Sequence, residues 1–195
     1  MKIHYSILIV LIFALYTNSL VEFALFFGCI VLHEMGHVFF IYLFKQKVNK
    51  LNISIFGGQL DCNLKNLNIL QNVLINLGGI FVNFLLIKIS FLIPKYQALL
   101  ISYNYLLIIF NILPIYPLDG YRIVESLMIV FKSPHYEFFM LSCFSMFFLL
   151  ALLIFGLIVQ SLAITIIGII LIYKNIQRII NKDRIVLKKL VEMFS

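Results

Sequence analysis

From Phe23 to Phe44 the chain runs twenty-two residues with a single formal charge, Glu34. At about 1.5 Å per residue this is about 33 Å of helix, enough to cross a hydrocarbon layer of ~30 Å. Other apolar runs follow the same pattern: Ile3–Tyr16, Val73–Ile93 (ended by Pro94), Phe138–Phe155 and Leu157–Tyr173. A further run, Ala98–Leu113, is interrupted by Pro114 and Pro117 and resumes after Asp119-Gly120 as far as about Phe131. The first run is short, but no small-residue cleavage site follows it, so it reads as a helix and not a signal peptide. These runs predict an all-α integral membrane protein with about six transmembrane helices. Only 12% of the 195 residues are charged, against roughly 25% in ordinary soluble domains. A water-soluble globule, a disordered chain and a secreted disulfide scaffold are thereby excluded.

Lys45–Asn72 differs from its surroundings, with four lysines and one acid, Asp61. Leu51–Phe56 alternates apolar and polar, Gly57-Gly58 follows, and Gln59–Leu64 alternates again. A small β-hairpin with a glycine turn is expected here, between spans two and three. The segment Lys174–Ser195 carries six basic and two acidic residues, with apolar residues at helical spacing. It reads as a basic amphipathic helix on the membrane surface, or as a solvated helix without lipid contact. The expected organisation is thus a transmembrane core over 1–174 and a basic tail over 175–195. Lys2, the hairpin lysines, Lys132 and the tail lie on one side of a six-span layout, with Lys95 on the other. The positive-inside rule then puts both termini in the cytoplasm. The basic excess reports loop topology and the bilayer as partner, not nucleic acid.

Ionisable residues at membrane depth are costly and mark functional sites. His33 and His37 stand at i and i+4 inside the second run, so both imidazoles lie on one helix face and can take one metal ion. Glu34 points about 100° away, placed to reach a water on that metal. This is the His-Glu-x-x-His pattern of zinc proteases; two buried, hydrogen-bonded structural histidines are the plainer alternative. A catalytic zinc wants a third protein ligand and an open position. His4, His135, Asp61, Cys62 and Glu125 are candidates. Asp119 is the strongest, because Asn111-Ile-Leu-Pro114-Ile-Tyr-Pro117-Leu-Asp119-Gly120 breaks an apolar segment, and irregular backbone at that depth must be buried or line a wet cavity. A helix-capping role for Asp119 is the alternative.

His33-Glu34-Met-Gly-His37, followed two spans later by the Asn111–Gly120 motif, resembles the site-2 protease family of intramembrane metalloproteases, most closely its stage IV sporulation protein FB branch. The resemblance implies one zinc per chain, held by His33, His37 and Asp119, with Glu34 as the catalytic base. It implies a membrane-tethered protein substrate, such as a pro-sigma factor, in a bacterial cell membrane, and leaves room for an inhibitory membrane partner. It extends to Phe56-Gly57-Gly58 in the hairpin and to Gly79 and Asn83 in the third span. There Ile80 stands where the family commonly has proline. The C-terminal nucleotide-sensing module of many sporulation relatives has no room in the twenty or so residues after the last span.

Peptide hydrolysis needs a stabilised oxyanion, and Asn83 and Asn111 are the candidate donors. Helix packing for Asn83, and satisfaction of carbonyls freed by Pro114 for Asn111, are the alternatives. A substrate helix must become extended before attack, and the hairpin edge around Leu51–Leu60, with Phe56, Gly57 and Gly58, offers a strand to pair with. A multi-span transporter or ion-pathway protein with a metal site is the competing class, since midplane His and Asp residues and broken helices occur there too.

Overall fold

Polar and apolar residues are arranged inside out along the long helices of the computed structural model. Phe39, Phe81, Phe147 and Ile158 are exposed, whereas Asn83, Asn104, Ser145 and Asn175 are buried. That pattern suits lipid as the solvent: apolar side chains lose nothing outside, and polar ones must find partners inside. The structure describes residues 2–3, 19–46, 48–54, 57–62, 67–128 and 133–194. It divides into two compact units, Met1–Asn111 and Ile112–Ser195.

In the first unit, strand β1 (Lys2–Ile3) precedes helix α1 (Leu20–Leu43), strands β2 (Val48–Ser54) and β3 (Gly57–Cys62), helix α2 (Ile69–Ser90) and helix α3 (Gln97–Ile112). The strands form one sheet in the order β1-β2-β3, with β2 parallel to β1 and antiparallel to β3. Gly57 and Gly58 pair with Ser54 and Ile53 in the ladder and are not a glycine turn. Strand β1 covers only Asn52 and Ile53 on one side of β2, and the outer side of β3 lacks a strand partner among the described residues. Part of the edge expected around Leu51–Leu60 is thus occupied by β1, at Asn52 and Ile53. Phe56 lies outside the described residues.

Helix α1 buries Cys29, Ile30, His33, Glu34, Gly36, His37 and Ile41, a three- and four-residue spacing that defines one face. The buried face of α2 carries Asn72, Ile75, Asn76, Gly79, Asn83 and Ile87. The two helices approach to backbone contact at Gly36 and Gly78. A Cβ at Gly78 would lie 2.6 Å from the Gly36 carbonyl oxygen, so no larger residue fits there. Helix α2 begins with a capping box, in which the Asn68 backbone N–H donates to Gln71 Oε1 (3.0 Å). Helix α3 packs on α1 through Leu107, Tyr103, Cys29 and Phe26.

The second unit holds helices α4 (Asp119–Met128), α5 (Pro134–Ile158), α6 (Leu162–Ile180) and α7 (Lys182–Phe194). Helix α5 starts at Pro134, whose missing N–H costs nothing in a first turn. Gly156 of α5 packs against Ile164 and Thr165 of α6.

Among the described residues, four helices are long and apolar enough to cross a membrane: α1, α2, α5 and α6. This corrects the six expected spans. The first, Ile3–Tyr16, lies mostly outside the described residues. The fourth divides: α3 has sixteen residues, about 24 Å, which falls short of the ~30 Å hydrocarbon layer. Pro114 and Pro117 lack the N–H that would continue it, and the resumed part is the separate helix α4.

Candidate metal centre

His33 and His37 sit one helical turn apart on the buried face of α1, and their Nε2 atoms are 3.3 Å apart. The rings meet nearly edge to face, at 4.9 Å between centroids. Each ring is held from behind by α2. His37 Nδ1 lies 2.8 Å from the Ile75 carbonyl oxygen. A carbonyl only accepts, so Nδ1 carries the proton and Nε2 keeps its lone pair. His33 Nδ1 lies 3.0 Å from the Asn83 side-chain nitrogen. Asn83 is fully buried, and its Oδ1 has no hydrogen-bond partner among the described residues.

The space in front of the two nitrogens exists because residue 79 is glycine. A Cβ there would fall 2.5 Å from His33 Nε2 and 2.6 Å from His37 Nε2. Two buried imidazoles whose Nε2 atoms lie side by side, next to a residue without a side chain, fit a divalent cation of the zinc type. Glu34, the next residue on the helix, is buried as well.

In the second unit, Asp119 is the first residue of α4 and is buried. A carboxylate is electrostatically favoured there by the helix dipole. Gly120 allows the start of α4 to pack onto the end of the preceding run: a Cβ at this position would overlap the Ile112 carbonyl. The loop before Asp119 is tied down by Ser145 and Asn175, two residues the sequence reading missed. Tyr116 N–H donates to Ser145 Oγ (3.1 Å) and Asn175 Nδ2 donates to the Tyr116 carbonyl (2.9 Å).

The remaining candidates are placed elsewhere. Glu125 is in ion-pair contact with Lys189 at 2.8 Å. His135 is exposed near the start of α5. Asp61 and Cys62 pair with Lys50 and Val48 in the β2–β3 ladder, and His4 lies outside the described residues. The side chain of Asn111 donates to the Leu107 carbonyl of its own helix (3.0 Å), one turn back. It does not serve the Phe110 carbonyl, which Pro114 leaves without its usual helical donor.

Residues 22–98 match the family model of peptidase family M50. The fold is similar to that of the site-2 protease from Methanocaldococcus jannaschii, with a TM-score of 0.71 and 21% identity. The alignment covers 90% of this chain and 88% of that one. No curated protein matches the chain significantly. The family match supports a metalloendopeptidase, and the structural likeness shows the fold.

Proposed function

We propose that this protein is an intramembrane zinc metalloendopeptidase that cleaves a membrane-tethered protein. The observation that carries the reading is the His33–His37 pair, with both Nε2 atoms directed at a space kept open by Gly79. Asp119 is the third ligand in this proposal: a buried carboxylate on a proline-broken segment, completing a donor set of two imidazoles and one oxygen. When bound at these residues, zinc would supply Lewis acidity and make a nearby water far more acidic than bulk water. Glu34 accepts a proton from the attacking water and returns it to the leaving amide nitrogen. Asn83 holds His33: with its amide rotated by 180°, Oδ1 accepts from His33 Nδ1–H, which also gives that buried oxygen a partner. This reading replaces the oxyanion role for Asn83. The transporter alternative draws no support from the comparisons.

The finer assignments rest on the sequence. The motif pattern makes a membrane-tethered pro-sigma factor the first substrate to test. The lysine bias puts the termini and the sheet in the cytoplasm of a bacterial cell, with a membrane core that runs to the end of α6 at Ile180 and the basic helix α7 as the tail.

Two variants measured side by side test the mechanism. Glu34→Gln keeps size and polarity but removes the proton acceptor. It should retain zinc and lose cleavage of a co-expressed tethered substrate by ~10²–10⁴-fold. His33→Ala should lose zinc and cleavage together. Near-normal cleavage by Glu34→Gln would exclude the proposed base, and zinc loss in that variant would make Glu34 a ligand.

A further inference from the structure

The loop that delivers Asp119 carries backbone polar groups into an apolar bundle, where each unpaired group would be costly. At Tyr116 both groups are met by side chains from other helices. Tyr116 N–H donates to Ser145 Oγ (3.1 Å), Ser145 O–H donates to Asn175 Oδ1 (2.6 Å), and Asn175 Nδ2 donates to the Tyr116 carbonyl oxygen (2.9 Å). The three bonds close a ring. Its polarity is determined, because Asn175 Nδ2 also donates to the Leu171 carbonyl (2.9 Å). With both amide hydrogens spent on carbonyls, Oδ1 can only accept, so Ser145 must point its hydrogen at Asn175 and accept from Tyr116. Ser145 and Asn175 are both almost wholly buried.

A second contact from the same helix face holds the Tyr116 side chain. Arg178 lies three residues after Asn175, hence beside it on α6. Its guanidinium stacks over Tyr116 (5.3 Å), Tyr121 (4.6 Å) and Phe138 (4.5 Å). Tyr116 and Tyr121 flank Asp119 in the chain, three residues before it and two after. Leu118 N–H donates to the Ile115 carbonyl (2.8 Å), closing the tight turn that links the clamped peptide to Asp119.

Resting on the metalloprotease reading, we propose that Asn175 and Ser145 are positioning residues that fix Asp119 for its metal through the Tyr116 peptide. Neither touches Asp119 in this account; they set the loop from which it projects. Removing either leaves a buried N–H or C=O of Tyr116 unpaired and lets the turn shift. A carboxylate displaced by even a fraction of an ångström is a poorer ligand.

The test uses the full-length protein in detergent, stripped of metal and titrated with Zn²⁺ against a chromophoric chelator. Asn175→Ala and Ser145→Ala should each weaken zinc binding by ~10–100-fold, the usual effect of losing a partner that orients a ligand. Ser145→Thr, which keeps the hydroxyl, should remain within about threefold of wild type. In an Asp119→Ala background the same substitutions should weaken zinc no further, because the ligand they position is gone. Unchanged zinc affinity in both alanine variants would overturn the proposal, as would an equal loss in the Asp119→Ala background, which would mark a general structural role. Should Asn175→Ala fail to fold, the Ser145 pair carries the same comparison. Wild-type protein that takes up no zinc would overturn the metalloprotease reading itself, and the clamp with it.

Discussion

Gly79 is the residue whose side chain matters by not existing. A methyl group there would press on both imidazoles at about van der Waals overlap, 2.5–2.6 Å from their Nε2 atoms. Gly79→Ala should therefore turn the rings and lower zinc affinity by ~10-fold or more, on the scale seen when ligand orientation is lost. Gly28 is the internal control. It lies on α1, and a methyl group added there would meet nothing within 4 Å, so Gly28→Ala should stabilise the helix by ~0.5–1 kcal/mol and leave zinc untouched. Equal zinc binding by Gly79→Ala and wild type, in competition with a chelator, would dismiss the steric account. The closeness of His33 and His37 is readable from sequence, because i and i+4 on a helix share a face whatever surrounds them. The ring of Ser145, Asn175 and Tyr116 is not. Its members are twenty-nine to fifty-nine residues apart, and no local spacing relates them; Asn175, between Lys174 and Gln177-Arg178, reads in the sequence as part of the basic tail.

Elements are legible where proline or charge marks their ends, and less so within unbroken apolar sequence. Pro94 and Pro114 close off α2 and α3 nearby. The long run after Phe138 has no such mark, and its hydropathy predicts a break near Gly156. The helix instead continues to Ile158 and turns at Val159–Ser161, with Gln160 in the left-handed region (φ 54) and Ser161 capping α6 through Ile164 N–H. A non-glycine residue at that φ gives no compositional signal. Beyond α6, Lys189 ties α7 to α4 and α5: its Nζ lies 2.8 Å from Glu125 and 2.6 Å from Glu137. Burial alone would depress this amine, but the two carboxylates outweigh it and raise it above its ordinary 10.5. The contribution of such a group is complete below about 10.5 and disappears as pH climbs through the raised value. The difference in thermal stability between wild type and Lys189→Met should accordingly be constant from about pH 8 to 10 and shrink at higher pH. A difference that persists unchanged to the highest pH would mean that α7 is held by packing alone.

For the whole molecule, the exposed aromatic and aliphatic faces of α1, α2, α5 and α6 make the bilayer the natural surround. The orientation proposed from the lysines has a direct check. A cysteine introduced at Asn49 should react with an impermeant maleimide only after the cytoplasmic side is opened; labelling of intact cells would reverse the topology. His37 is seven residues from Phe44, about 10 Å along α1, so the histidines lie nearer the end of α1 that leads to the sheet. A polypeptide reaching them from the lipid must find a doorway between helices. At the Gly36–Gly78 crossing, two backbones meet with no room even for a methyl group, while an extended chain beside another backbone occupies about 4.7 Å. That seam is a wall: lateral entry of a substrate has to use another flank of α1 or α2.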